Sequence, residues 1–108
     1  MRSIVYGGDE FLTGDDIADA LLEYSRALGD EDRAEIIEIP VREKDGTVVS
    51  AKFLIGPASQ IVAKAISGNG PELEDPELVR RLQALTHGVE SPSGLPLDAP
   101  EGPDYELG

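Results

Sequence analysis

Four carboxylates fall close together just after a Gly7-Gly8 pair: Asp9, Glu10, Asp15 and Asp16. Oxygen donors grouped this way could hold Mg²⁺ or Ca²⁺. Their spacing is not that of an EF-hand loop, which needs ligands at alternate positions and a glutamate at its end. Capping and dipole complementation at a helix start also account for Asp15 and Asp16. Gly7-Gly8 lacks the Lys-Ser/Thr ending of a phosphate loop, so it reads as a turn. His87 is the only histidine and there is no cysteine. Most nucleophilic and metal-assisted schemes therefore lack parts. His87 sits where an imidazolium would complement the carbonyls closing a helix. Arg80 and Arg81 are the only adjacent bases, with Glu72, Glu74 and Glu77 nearby as ion-pair partners.

The element that organises these residues is a β-hairpin over 34–56. Two alternating apolar runs flank Lys44-Asp45-Gly46. A two-residue Asp-Gly turn would mix charges into the apolar face. A three-residue loop with Gly46 left-handed instead sets Val41 opposite Val49, Ile39 opposite Ala51 and Ile37 opposite Phe53. One face then holds Ile37, Ile39, Val41, Val49, Ala51, Phe53 and Ile55. On the other face Glu38 lies opposite Lys52, a pair worth about 0.2–1 kcal/mol. Pro40 occupies a site whose missing N–H points away from the partner, which suits an edge strand. Ile36, Val48 and Leu54 share the second face, Ile36 directly beside Leu54. Either a second helix covers them or they contact another chain, a second copy included.

Before the hairpin, Ser3-Ile4-Val5-Tyr6 predicts a strand. The spacing of Ile17, Leu21, Tyr24 and Leu28 predicts a helix over 14–28, with Thr13 as N-cap, Asp16 three residues on and a Leu12–Ile17 staple. Gly29 would end it. After the hairpin and a Gly56-Pro57 turn, 59–67 is read as a strand antiparallel to 47–55, which makes 47–55 central. Asp75 with Pro76 starts a second helix over 75–86, closed by His87 and Gly88. The expected fold is α+β: a small antiparallel sheet of three or four strands, order β-α-β-β-β-α. Helix 14–28 lies on the face of Ile37, Ile39, Val41 and Phe53. Residues 1–88 form one domain. Residues 89–108, with four prolines, five acids and no base, read as a disordered acidic tail.

The 108 residues carry a formal net charge of −13. The acids are spread over both halves, so the field repels nucleic acid phosphate and anionic membrane alike. No apolar run approaches a transmembrane span. MRSIVYGGDEF has no signal-peptide core, which points to the cytoplasm.

The order helix, three strands, helix resembles that of double-stranded-RNA-binding domains. Those domains grip phosphates with a basic face at the start of their last helix. Here that position reads Glu74-Asp75-Pro76-Glu77, so only the element order carries over. Tyr6-Gly7-Gly8-Asp9-Glu10-Phe11, Ile17 to Leu22 and Gly56 to Val62 resemble small uncharacterised acidic proteins of actinobacterial type. The excess of Arg over Lys, six to three, fits that source. The resemblance implies no known activity.

The function expected from the sequence is that of a non-catalytic acidic interaction protein with a basic protein partner and no cofactor. Two alternatives stand beside it. One is a small-molecule or metal-binding module using the 7–16 loop. The other is an enzyme whose site forms in a homodimer.

Overall fold

The computed structural model describes residues 1–67 and 70–90. Seven elements follow one another: β1 (Arg2–Tyr6), β2 (Asp9–Thr13), α1 (Asp15–Asp30), β3 (Glu35–Arg42), β4 (Val48–Ile55), β5 (Val62–Ala65) and α2 (Pro76–Glu90). The fold is α+β, with five strands in one antiparallel sheet of order β4-β3-β2-β1-β5. The element order is therefore ββαβββα, one strand more before α1 than the sequence predicted.

That extra strand is β2. Gly7 and Gly8 both take positive φ, +62° and +88°. This is what a two-residue hairpin turn requires, and only glycine adopts it twice without cost. The turn sets Tyr6 opposite Asp9 and carries the ladder to Arg2 opposite Thr13. Residues 7–16 are thus a turn, a strand and a helix start, not a loop. Asp9 and Glu10, poor strand formers, hid the alternation.

Thr13 ends β2 and does not cap α1. Its side chain is fully buried and its hydroxyl donates to the Pro40 carbonyl at 2.8 Å. The N-cap is Gly14, which offers no side chain; instead the Asp15 amide donates to Glu72 Oε2 at 2.5 Å. Glu72 thus does from outside the helix what a cap residue would do within it. At the other end α1 passes through Gly29. The left-handed position falls to Asp32 (φ 55°), and the Arg33 amide returns to the Leu28 carbonyl at 2.9 Å. Aspartate tolerates that conformation better than most side chains.

The central hairpin forms in the expected register. Val41 faces Val49, Ile39 faces Ala51, Ile37 faces Phe53 and Glu38 faces Lys52. Gly46 takes φ +92°, and its amide donates to the Glu43 carbonyl at 2.9 Å. The strand order around the hairpin differs from expectation. β4 is an edge strand, not the central one, and β5 pairs with β1 rather than with β4. β3 has neighbours on both sides, but β2 meets it only at Leu12 opposite Arg42. Pro40 is tolerated because that ladder does not extend to it.

The sheet must curl. The stretch 56–61 joins its two edges, β4 and β5. A flat five-stranded sheet would separate them by about 19 Å, and the link fully extended reaches only about 23 Å. Much of that reach is lost to a turn in which the Ser59 amide donates to the Gly56 carbonyl at 3.0 Å. Curling brings Phe53 of β4 against the rings of Tyr6 (5.4 Å) and Phe11 (5.0 Å), although those lie on β1 and β2.

The core sits between the inner face of this sheet and the helices. Ile4, Ile39, Val41, Phe53 and Ile55 meet Ile17, Leu21, Tyr24 and Leu28 of α1 and Leu78 and Leu82 of α2. Each such side chain contributes about 1.5–3 kcal/mol on burial. α2 starts as expected, with the Leu78 amide bonded to Asp75 Oδ1 at 3.1 Å. It packs on α1 and continues to Glu90, so the expected boundary at 88 falls inside a helix. Of the expected tail, 91–108 lies outside the described residues.

Candidate interaction surfaces

The four carboxylates after Gly7-Gly8 do not converge. Asp9 and Glu10 are successive residues of a strand, so they point to opposite faces. Glu10 pairs with Lys64 at 3.4 Å. Asp15 lies 3.0 Å from the N-terminal ammonium and 3.4 Å from Arg2 Nε. Asp16 is exposed on α1. Among the described residues no group of three or more His, Asp or Glu side chains has the geometry to hold a metal.

Asp15 belongs instead to a knot that joins the chain start, α1 and the approach to α2. The N-terminal ammonium sits 2.7 Å from Glu72 Oε1. The hydrogen bonds it donates to Glu72, and then to Asp15, hold it protonated above its ordinary range. In turn the ammonium holds both carboxyls below theirs. Gly14 completes the knot, because a Cβ there would stand 1.8 Å from the Leu73 carbonyl oxygen. The sequence held one signal of it, a glycine between a strand end and a helix start, but no hint of its partner at 72–73.

The outer face of the hairpin carries Ile36, Leu54 and Val48, which are 66%, 61% and 48% exposed. α2 does not cover them, because it packs on α1. Ile36 and Leu54 are direct neighbours as expected. Val48 lies on the same face, separated from them along β4 by Ser50 and Lys52.

Among the concavities of the described residues, two bear on binding. A cleft of about 810 Å³ opens at the end of the sheet where the Gly7-Gly8 turn meets the 56–61 link. Leu54, Val62 and Val5 line it. The Tyr6 hydroxyl donates to the Leu54 carbonyl and lies 3.4 Å from Ser59 Oγ, which accepts the Gly56 amide at 3.0 Å. The curl that creates this cleft was not legible in the sequence, because it depends on which strands pair.

The second concavity, about 510 Å³, runs between α1 and α2. Asp16, Asp19 and Glu23 stand on its α1 side at helical spacing, and His87 and Glu90 stand on α2. Ala20, Val79 and Thr86 give it a less polar floor. Arg2 holds Asp19 at 3.0 Å. Arg26 holds Glu23 at 3.0 Å and also bonds Glu90, which clamps the two helices together. Those carboxylates, Glu90 first, raise the Arg26 pKa. Asp16 makes no ion pair among the described residues. Neither do Arg80 and Arg81: of the expected partners Glu72, Glu74 and Glu77, the first is taken by the chain start. His87 occupies the last turn of α2, as expected.

No family model, no curated protein and no solved structure matches this chain. No helix among the described residues is long and apolar enough to cross a membrane.

Proposed function

We propose that this is a non-catalytic binding protein, acting in the cytoplasm, that captures a basic protein segment in the groove between α1 and α2. The observation that carries the reading is the groove itself. Asp16, Asp19, Glu23 and Glu90 rim a less polar floor of Ala20, Val79 and Thr86. A partner helix with lysines or arginines flanking an apolar stripe fits that arrangement, because its stripe meets the floor while its cations meet the rim. Arg2 and Arg26 hold three of the four carboxylates in place without occupying Asp16. The net charge of −13 would add long-range attraction for such a segment and speed its encounter. Calorimetric titration with a lysine-rich amphipathic peptide tests the reading. Binding should weaken as salt rises from low to physiological strength, and Asp16→Lys should weaken it further. Absence of binding at low salt overturns the reading, as does an unchanged affinity in Asp16→Lys.

A second reading is favoured by the 810 Å³ cleft, whose volume suits a small molecule. Its exposed Leu54 and Val62 would face an apolar ligand and Tyr6 with Ser59 would orient it. A thermal-shift screen of metals, nucleotides and small apolar compounds separates the two readings, since only the second expects stabilisation by a compound without basic groups.

A further inference from the structure

We propose that β4 is a self-pairing edge. Two copies of the chain join antiparallel through residues 48–54 about a twofold axis at Ala51, merging two five-stranded sheets into one of ten.

The first support is the direction of the backbone groups. The Glu43 amide donates to the Thr47 carbonyl at 2.7 Å, so Glu43 and Thr47 form a bonded pair. Bonded and non-bonded pairs alternate in an antiparallel ladder. Val41/Val49, Ile39/Ala51 and Ile37/Phe53 are then bonded, while Arg42/Val48, Pro40/Ser50, Glu38/Lys52 and Ile36/Leu54 are not. Pro40 agrees with this assignment, since it has no N–H to give and its carbonyl turns away to Thr13. The N–H and C=O groups of Val48, Ser50, Lys52 and Leu54 therefore point out of the sheet. Among the described residues only the Leu54 carbonyl has partners there, the Tyr6 hydroxyl and, at 3.5 Å, the Ser59 hydroxyl, so the open groups are those of Val48, Ser50 and Lys52 and the Leu54 N–H.

The second support is that β4 carries little of the usual protection of an edge. It has eight residues, no proline and one charge, Lys52. The opposite edge, β5, has four residues.

The third support decides the occupant. Val48-Val49-Ser50-Ala51-Lys52-Phe53-Leu54 is a palindrome in polarity about Ala51: two apolar residues, a polar one, alanine, a polar one, two apolar residues. A twofold contact needs such self-complementarity. With the axis at Ala51, each Val48 faces the partner's Leu54, and each Ser50 faces the partner's Lys52. The two Ala51 residues form the close non-bonded pair on the axis. Moving the axis to Lys52 would oppose like charges, and moving it to Ser50 would place Lys52 against an apolar Val48 and leave Leu54 unmatched. The chosen register also extends the exposed patch of Ile36 and Leu54 across the joint. A basic partner is disfavoured on this edge, because its cations would meet Lys52 and β4 carries no acid. The inference goes beyond the groove, none of whose lining residues is in β4.

Sedimentation across a concentration series tests the pairing, with variants at exposed Ser50. Ser50→Glu faces the partner's Lys52 twice and should tighten the dimer by about 2- to 30-fold, and Ser50→Lys should weaken it by a similar factor. Self-repulsion of a −13 chain predicts the opposite order, so a reversed ranking overturns the register. The dimer should also strengthen with added salt, as repulsion between the two acidic bodies is screened. The native chain has no cysteine, so Ala51→Cys supplies a single thiol per copy. On the axis the two thiols lie within disulfide reach, and oxidation should cross-link this variant readily, whereas Val49→Cys, which faces the partner's Phe53, should resist. Equal cross-linking, or a monomer at every concentration, overturns the proposal. Either result leaves the groove reading to stand or fall on peptide binding alone.

Discussion

The approach to α1 shows how one residue can be correct in type for a role it does not fill. Thr13 sits where a cap would sit, yet it faces the core and its hydroxyl satisfies the Pro40 carbonyl. Thr13→Ala should cost about 1–3 kcal/mol by orphaning that carbonyl. Gly14→Ala should cost more, because its Cβ would meet the Leu73 backbone rather than a side chain that can move. Urea midpoints of the two variants check the ranking, and a Gly14→Ala protein as stable as the parent would contradict the described packing of 14 on 73. The neighbouring knot makes a pH prediction. Glu72 and Asp15 have folded pKa values below their unfolded ones, so their contribution is present above the ordinary carboxylate range and lost as pH falls through the lowered folded values. The ammonium is raised, so its contribution is present below about pH 8 and lost as pH rises through the raised value. Urea midpoints should be flat between about pH 5 and 8 and fall on both sides. Glu72→Gln should flatten both limbs; an unchanged profile would remove the knot as a source of stability. Apart from the glycine at 14, the knot was not legible in the sequence, because Glu72 and Leu73 lie more than fifty residues from Asp15 and Gly14.

At the scale of elements, local rules worked where an element is decided locally. The 34–56 hairpin was readable to its register because polarity alternates on both strands and Gly46 can take positive φ. α1 was readable from its apolar spacing, and α2 from Asp75-Pro76. Strand order was not, since it is set by the Gly7-Gly8 turn, which inserts β2 and β1 between β3 and β5. With β4 at the edge, Phe53 is still core: it is buried between Tyr6 and Phe11. Phe53→Ala should cost about 3–5 kcal/mol, while Lys52→Ala on the opposite face should change stability little. Denaturation of both variants checks this; the reverse ranking would mean the strand faces the other way.

At the scale of the molecule, acidity is the dominant property, and its local arrangement matters more than its total. The four carboxylates after Gly7-Gly8, considered as metal ligands in an alternative reading, are dispersed. Those that do assemble, Asp16, Asp19, Glu23 and Glu90, come from two helices distant in sequence. Helical spacing placed the first three on one side of α1, but only the packing of α2 made them one wall of a groove. The acids Asp98, Glu101, Asp104 and Glu106 add charge without a base. Removing 91–108 should leave the melting temperature unchanged, because a composition rich in proline and acid gives the segment little to add to a core. It should slow association with a basic peptide and flatten the dependence of that rate on salt; stopped-flow rates at two salt concentrations check this. Equal rates and slopes would leave the segment without a part in binding.

The most direct test of the central claim is to map where a basic segment lands. Backbone amide resonances followed while a lysine-rich amphipathic peptide is added should shift along 16–23 of α1 and 79–90 of α2, saturating together, with the β4 residues unmoved. Shifts spread evenly over the acidic surface, or gathered at the cleft of Tyr6, Leu54 and Val62, would contradict it.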